Sequence, residues 1–333
     1  MSLKINKDKI QFRNFSIQNT ADGIYIDGTF TANGQFVDAT QAQGSVSGYT
    51  SGGLSSPTPR LDTIDKFSFT SDGNATDVGN LFQDRMLSTG QSSTENGYTS
   101  GGESPSNVVD VIDKFPFATD TNASDVGNLS QARKEVAGQQ STVSGYTSGG
   151  NPTLNTIDKF PFATDTNASD VGDLSQARQY LSGHTSSTHG YSSGGFAPPR
   201  VVTIDKFPFA IDTNASDVGD LTQSRNAAIG HSSSTHGYNS GGYSTASPGI
   251  TNTIDKFIFS SDNNAGDVGN LTQGKYSHAG QSSTTSGYAS GGTNTAPSTD
   301  LNVIEKFPYA VDSDSSDVGN LFQARLRCSG QQV

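Results

Sequence analysis

Six copies of a glycine-bracketed tyrosine motif constrain this chain more than any other feature of its sequence. The motif is GYxSGG, and the second glycines of successive copies are between 45 and 50 residues apart. The copies begin at Gly48, Gly97, Gly145, Gly190, Gly237 and Gly287. A period of roughly 20–50 residues is typical of chains in which one supersecondary unit recurs and each copy stacks on the next.

Each repeat predicts four short β-strands, here named a to d. Strand a is a run of small residues, strand b is the GYxSGG motif, and strand d is a VGNL or VGDL segment ending near a basic residue. Strand c is IDKFPF or a close variant, with Ile64 on one side and Phe67 and Phe69 on the other. Apolar groups on both sides fit a blade that is covered by a neighbour on each face. The predicted fold is therefore all-β, a six-bladed propeller of four-stranded antiparallel blades.

Composition excludes several classes of protein. The net charge of −12 argues against binding to nucleic acid or an anionic membrane, because both require clustered Lys and Arg. No apolar run is long enough to span a bilayer, and the first residues lack the apolar core of a signal peptide. The lone Cys328 excludes an intrachain disulfide and a cysteine zinc site. The paired glycines indicate a strand and turn, because a phosphate-binding loop would need a following helix.

The positions of the repeats predict how the ring closes. Each strand-c isoleucine is followed by the next glycine pair after 38 residues in all five complete intervals. The last, Ile304, is followed by only 29 residues, which places Val333 at the position that Ser93 holds in its own repeat. The residues that complete this unit begin at Ser45. The C-terminal segment is therefore predicted to supply strand a of the first blade, which buries the edge strands that an open array would expose.

The repeat resembles the kelch family. Both combine an Arg, a strand of small residues, an aromatic residue before a glycine pair, an aromatic-bearing strand and a Thr-Asn turn. The sequence departs from the kelch pattern where Ala-Ser-Asp stands in place of the Trp expected after that turn. The resemblance implies a kelch-like propeller domain over residues 45–333, preceded by a separate N-terminal segment over residues 1–44.

The connections between strands b and c are the variable part of the repeat. All differences in repeat length fall there, and the loops differ in charge and aromatic content. In propeller topology the b–c and d–a connections emerge on one face, and variable loops on a rigid scaffold are where binding specificity is usually located. The candidate binding residues are Arg60, Phe196, Arg200 and Tyr243. The alternative is neutral change in tolerant surface loops.

The opposite face is expected to carry the c–d turns, which repeat a pattern of Asp and Asn. Oxygen ligands at alternating positions suit Ca²⁺, which makes Asp165, Asn167 and Asp170 weak calcium candidates. The glycine and the distal bidentate Glu of an EF-hand loop are absent, and Asx side chains cap tight turns without a metal. A hydrogen-bonded turn that needs no cofactor is therefore the preferred interpretation.

One position of strand a is Gln or His in every repeat. These side chains are predicted to line a water-filled channel on the propeller axis: Gln91, Gln139, His184, His231, Gln281 and Gln331. Two His are too few to bind a transition metal without further ligands. The acidic residue and the Lys of strand c recur in every repeat, as does the basic residue after strand d, which favours blade-to-blade contacts. Because catalysis needs asymmetry, the chain is not expected to be an enzyme.

The N-terminal segment lies outside the repeats. It contains a hairpin signal, GIYIDGTFTANGQF, with Asp-Gly and Asn-Gly turns. An N-terminal anchor followed by a polar, repetitive β-module resembles bacteriophage tail fibres and other virion appendages. This resemblance implies attachment to other virion proteins through residues 1–38, with homo-oligomerisation left open. It also implies contact of the propeller loops with a host-surface glycan or protein, and assembly into virions in the host cytoplasm.

Two other functions stay open at this point. One is a cytoplasmic kelch-type adaptor that binds a protein partner. The other is a glycan lyase or hydrolase built on a propeller scaffold. Such an enzyme would require an asymmetric cluster of carboxylates or His in one pocket, and the spacing of residues in the sequence nominates none.

Overall fold

A computed structural model describes most of the repeat region and part of the segment before it. The described residues are 43–56, 60–245, 249–294 and 299–333, together with four short strands nearer the N-terminus. The chain divides into two compact units, Met1–Thr40 and Gln41–Val333.

The first unit contains the short N-terminal β extension that the sequence predicts. Strand β1 (Ile17–Thr20) pairs antiparallel with β2 (Gly23–Ile26), and β3 (Thr29–Phe30) pairs antiparallel with β4 (Phe36–Val37). The last pair flanks the predicted Asn-Gly turn in the chain. The remainder of the predicted attachment segment, residues 1–38, lies outside the described residues, so its partner contacts stay a prediction.

In the second unit, the described residues form six four-stranded antiparallel blades, which confirms the predicted propeller. Strands a to d of blade 1 are β30 (Ser329–Gln332), β5 (Ser47–Leu54), β6 (Arg60–Ser68) and β7 (Thr76–Asn80). Those of blade 2 are β8 (Thr89–Ser92), β9 (Asn96–Ser100), β10 (Val111–Pro116) and β11 (Ser124–Asn128). Those of blade 3 are β12 (Ala137–Gln140), β13 (Ser144–Ser148), β14 (Thr156–Pro161) and β15 (Ser169–Asp173). Those of blade 4 are β16 (Ser182–Thr185), β17 (His189–Ser193), β18 (Thr203–Pro208) and β19 (Ser216–Asp220). Those of blade 5 are β21 (Ile229–Ser232), β22 (His236–Ser240), β24 (Thr253–Ile258) and β25 (Gly266–Asn270). Those of blade 6 are β26 (Ala279–Ser282), β27 (Ser286–Ser290), β28 (Val303–Pro308) and β29 (Ser316–Asn320). A further two-residue pair joins β20 (Arg225–Asn226) to β23 (Tyr243–Ser244) on the loops.

The predicted closure of the ring is confirmed. Strand β30 pairs antiparallel with β5, with Gln331 opposite Tyr49. The backbone oxygen of Val333 also accepts hydrogen bonds from the N–H groups of Ser45 and Ser47, both at 2.9 Å. The two ends of the repeat region therefore share one sheet, and the inner edge of β5 is paired.

Strand a is the innermost strand of each blade, where space is too small for a side chain at one position. A Cβ on Gly183 would collide with the carbonyl oxygen of Gly138 in the preceding blade, and the other blades repeat this close approach. Small residues on strand a thus let six backbones meet near the axis. The glycine pair after strand b has positive φ angles, 63° for Gly101 and 109° for Gly102 in blade 2, so it forms the turn that follows Ser100.

The hydrophobic core lies between neighbouring blades. In the first contact, Tyr49, Ile64 and Leu81 of blade 1 pack against Phe115 and Phe117 of blade 2. The ring centroids of Tyr49 and Phe117 are 4.9 Å apart. An equivalent cluster joins blade 6 to blade 1. The repeated tyrosine of GYxSGG is therefore part of the contact that attaches each blade to the next.

A ring of fully buried ion pairs also connects the blades. The basic residue that follows strand d reaches strand c of the next blade, and Arg85 Nη2 lies 2.6 Å from Asp113 Oδ2. The pairs are Arg85–Asp113, Arg133–Asp158, Arg178–Asp205, Arg225–Asp255, Lys275–Glu305 and Arg325–Asp65. Strand d of blade 1 ends at Asn80, so the prediction that it ends near the basic residue is wrong; Arg85 lies five residues beyond the strand, and its side chain is fully buried.

A second, partly exposed ring of ion pairs links strand-c lysines to the c–d turns of the next blade. One example is Lys66 with Asp120, whose Nζ and Oδ1 are 3.1 Å apart. The same pairing recurs around the closure, from Lys306 to Asp72 at 3.0 Å. Both sets of repeated charges are therefore blade-to-blade contacts, as predicted.

The b–c and d–a connections lie on one face, which we call the loop face. Residues of the two kinds of connection pair with each other there, for example Lys134 with Asn151 and Gln179 with Phe196. Because the strands are antiparallel, the a–b and c–d turns lie on the opposite face, which we call the turn face. The predicted distribution of loops is therefore confirmed.

Candidate functional site

Three of the four predicted binding residues form one cluster on the loop face. The Arg200 guanidinium lies 4.6 Å from the ring centroid of Tyr243 and 6.0 Å from that of Phe196. Its Nε donates a hydrogen bond to Asn226 Oδ1 at 2.7 Å, and Tyr276 meets Tyr243 edge-on with centroids 6.0 Å apart. Because Tyr243 is exposed, the cluster offers a ligand an aromatic surface beside a fixed cation.

The contacts described for Arg60 do not include this aromatic cluster. Arg60 Nη2 lies 2.8 Å from Glu103 Oε1, and Lys134 Nζ lies 2.6 Å from Glu103 Oε2. The hydrogen bond from Lys134, together with the charge of Arg60, holds the pKa of Glu103 below its ordinary value. Arg60 therefore joins two blades on the loop face. Residues 57–59, 246–248 and 295–298 of the predicted recognition loops lie outside the described residues.

A ring of six residues surrounds the propeller axis on the loop face. Each is the second residue after the repeated Arg or Lys, and each has a φ between 54° and 62° although none is glycine. Each backbone N–H donates to the carbonyl oxygen of its counterpart in the preceding repeat at 2.6–2.9 Å, so that the hydrogen bonds close a circle. The members of this axial ring are Leu87, Glu135, Tyr180, Ala227, Ser277 and Arg327.

The axial ring is the part of the loop face that the sequence analysis missed. Its six members are all different, whereas the basic residue two positions earlier hardly varies. Aligning the repeats on that basic residue would have shown a fully variable position beside an almost constant one. The left-handed backbone and the closed hydrogen-bond circle depend on pairing between distant repeats, so they leave no local sequence signal.

The axial ring encloses the mouth of the propeller axis. A cavity of about 60 Å³ opens there, and its lining includes Leu87, Glu135, Tyr180 and Arg327. Glu135 is only 7% exposed, and its Oε2 has no hydrogen-bond partner among the described residues. Burial raises the pKa of Glu135, while hydrogen bonding with Tyr180 and Asn151 and the charges of Lys134 and Arg327 act in the opposite direction. The mouth is therefore asymmetric, with one acidic and one basic side chain among largely apolar neighbours such as Val136, Leu181 and Ile229.

The calcium candidates are engaged in hydrogen bonds and an ion pair on the turn face. Asp165 Oδ1 pairs with Lys114 Nζ of the preceding blade at 2.5 Å. Asn167 Oδ1 accepts a hydrogen bond from the backbone N–H of Asn128 at 3.0 Å. Asp170 Oδ1 accepts one from a backbone N–H two residues further along the chain. These contacts favour the hydrogen-bonded turn, and calcium binding stays an untested prediction.

The prediction that Gln and His of strand a line a watery channel is wrong. All six side chains are at most 1% exposed, and they point between blades. Gln91 Nε2 donates to the carbonyl oxygen of Tyr146 in the next blade at 2.9 Å. His184 Nε2 lies 2.7 Å from Ser193 Oγ, and its Nδ1 lies 3.3 Å from the carbonyl oxygen of His231. Strand glycines occupy the side facing the axis, because backbone–backbone approach leaves no room for longer side chains.

Neither a metal cluster nor a family match points to a function. In the described part of the chain, no group of three or more His, Cys, Asp or Glu side chains is placed to hold a metal ion. The same described residues include no helix long and apolar enough to cross a membrane. No protein-family model and no curated protein matches the chain. The loop face, where the repeats differ from one another, is the candidate functional site.

Proposed function

We propose that this chain is a non-enzymatic binding protein that recognises a host-surface glycan or protein with the loop face of its propeller. The supporting observation is that the contacts between blades repeat six times, whereas the residues of the loop face differ from one repeat to the next. Between the blades, the same tyrosine, phenylalanine and ion-pair contacts recur. On the loop face, the axial ring holds six different residues, and within the described residues the cluster of Arg200 with Tyr243 occurs once. A selective binding surface requires this kind of asymmetry.

The charged residues that recur in every blade support binding over catalysis. Arg85 and Asp113, like their counterparts, are fully buried and paired with each other. The strand-c lysines are paired with c–d turns. A group that is buried in a structural ion pair is not accessible to a substrate, so the most numerous acid and base side chains of the propeller are committed to holding the blades together.

The setting that we propose is a virion appendage such as a phage tail fibre. In this proposal the propeller is a divergent kelch-like domain, and residues 1–38 attach it to other virion proteins. The closed ring supports such a role, because pairing of β30 with β5 removes the open edge where the two ends of the repeat region meet, and edge-to-edge association could otherwise start there.

Labelling of purified particles tests the assembly role. Antibodies against the propeller should label virions from infected cells in negative-stain micrographs, at one kind of appendage. Propeller that is found only as free protein, bound to a host protein and absent from particles, would contradict the virion role. That result would favour the cytoplasmic adaptor instead.

Adsorption to host cells tests the use of the loop face. The full chain carrying Arg200→Gln should bind cell envelopes more weakly than the unchanged chain, because the cation stacked on Tyr243 is lost. Lys159→Gln is the matched control, since it removes one positive charge from an ion pair with the turn-face residue Asp212. Equal loss of adsorption in both variants would contradict recognition by the loop face.

A further inference from the structure

The mouth of the propeller axis brings together two side chains of opposite charge that form no ion pair among the described residues. Arg327, Leu87 and Glu135 are consecutive in the axial ring: Leu87 N–H donates to Arg327 O at 2.9 Å, and Glu135 N–H donates to Leu87 O at 2.8 Å. Tyr180 follows, with its N–H donating to Glu135 O at 2.8 Å. This arc places a carboxylate and a guanidinium on either side of one apolar residue.

Glu135 is the member of this arc whose hydrogen bonding is incomplete. Its side chain is more than nine-tenths buried and lines the mouth, yet Oε2 contacts no donor among the described residues. A buried carboxylate oxygen without a donor is unfavourable, because the hydrogen bonds it made with water are not replaced. A ligand that placed an O–H or N–H donor at this point would supply the hydrogen bond that Glu135 Oε2 lacks.

Arg327 presents the complementary requirement. The hydrogen bond described for its guanidinium is a weak one, from Nη1 to Met86 Sδ at 3.7 Å. Five donors in a planar fork are suited to a carboxylate. One compact ligand would therefore suit the arc if it placed two anionic oxygens at Arg327 and hydroxyl or amine donors at Glu135.

We propose that this arc binds an acidic sugar at the end of a glycan, with the sugar carboxylate on Arg327 and its ring hydroxyls on Glu135. This inference rests on the proposed function, and it names the class of ligand for the centre of the loop face. A hexuronic acid holds a carboxylate and several hydroxyls on one rigid ring, next to a C–H face that suits packing on Tyr180. An acidic peptide side chain would satisfy Arg327 and leave Glu135 Oε2 without a donor.

The size of the cavity agrees with recognition of a terminal group. Its volume of about 60 Å³ exceeds the roughly 10–15 Å³ that one water molecule needs and is far below the roughly 300–1,000 Å³ of a site that encloses a whole ligand. The cavity therefore accepts a carboxylate or a pair of hydroxyls, while the rest of the sugar ring lies over Leu87 and Tyr180. The remaining glycan would extend across the loop face towards the b–c loops.

Titration of the full chain with sodium glucuronate and with glucose, followed by saturation-transfer NMR, tests the inference. Glucuronate should bind, and glucose should bind at least about tenfold more weakly, because it lacks the charged partner of Arg327. Arg327→Gln and Glu135→Gln should each weaken glucuronate binding about tenfold. Lys206→Gln is the control: it removes the same charge from an ion pair with Asp262 and should leave binding unchanged.

Thermal unfolding of all three variants should show that the fold is kept. Glucuronate binding no tighter than glucose binding, or binding that survives both Arg327→Gln and Glu135→Gln, would overturn the inference. Binding of acidic peptides without glucuronate would assign the mouth to a protein partner and overturn it equally. Cell adsorption that depends on Arg200 but not on Glu135 or Arg327 would leave the proposed function standing while this inference fails.

Discussion

Replacing His184 and His231 with Gln should make the propeller more resistant to acid. Both imidazoles are buried between blades, and burial lowers the pKa of His184 to about 4 and that of His231 to about 3. Gln holds the equivalent position in the other four blades. The double substitution therefore removes two titratable groups and introduces a side chain that this position already accommodates elsewhere.

The size of the effect follows from the difference between folded and unfolded pKa values. Because the folded values lie below the ordinary value of 6.5, protons bind the unfolded chain preferentially. The two neutral imidazoles are fully compatible with folding above about pH 6.5, and stability is lost as the pH falls from there towards the folded values. At pH 5 the loss is about 2 kcal/mol for each His, or about 4 kcal/mol for both.

Equilibrium urea unfolding at pH 7 and pH 5 measures this loss. The chain has no Trp and 11 Tyr, so tyrosine fluorescence reports the transition. The free energy of unfolding of the unchanged protein should fall by about 4 kcal/mol more between the two pH values than that of the double variant. Other acid-sensitive groups are present in both proteins, and their contribution cancels in the comparison, except that of His278, whose pKa is lowered partly by the charge of His231.

The control is a second pair of histidines at the start of strand b. His189 and His236 are only partly buried, and Asn96 holds the equivalent position in another blade. The variant with His189→Asn and His236→Asn should keep most of the acid sensitivity. If the variant with His184→Gln and His231→Gln loses as much stability between pH 7 and pH 5 as the unchanged protein, the two buried imidazoles are not the cause and the reasoning is refuted.

Three other perturbations test the closure, the ion pairs and the inner strands. Deleting β30 leaves β5 with an open edge and should abolish the cooperative urea transition; a truncated chain that unfolds like the full one would contradict the closure. Arg133→Met leaves Asp158 charged and unpaired in a fully buried site and should lower the free energy of unfolding by about 3–5 kcal/mol, whereas adding Asp158→Leu should recover most of it. Gly183→Ala forces a Cβ against the carbonyl oxygen of Gly138 and should lower the free energy of unfolding by about 1–3 kcal/mol. Gly266→Ala should have little effect, because nothing lies within 4 Å of the added Cβ. Equal stabilities of the two alanine variants would argue against crowding at the axis.

The sequence by itself determined the number of blades, the order of their strands and the closure of the ring. The constant interval from each strand-c Ile to the next glycine pair shows that one unit recurs, and the short interval after Ile304 shows that the last unit is completed elsewhere. The recurrence of Asp, Lys and Arg likewise predicted contacts between blades. These features are readable because a repeat protein presents the same local pattern six times, so that position within the repeat specifies position within the blade.

Only the tertiary structure decided which way the inner side chains point and what surrounds the axis. Both faces of every blade are covered, so alternation along strand a could not distinguish the axis from the interface between blades, and Gln91 and His184 were assigned to the wrong one. Glu135, Tyr180 and Arg327 meet because hydrogen bonds between successive repeats close a circle. Such a circle exists only when all six blades are in place, since each of its bonds joins residues from different repeats.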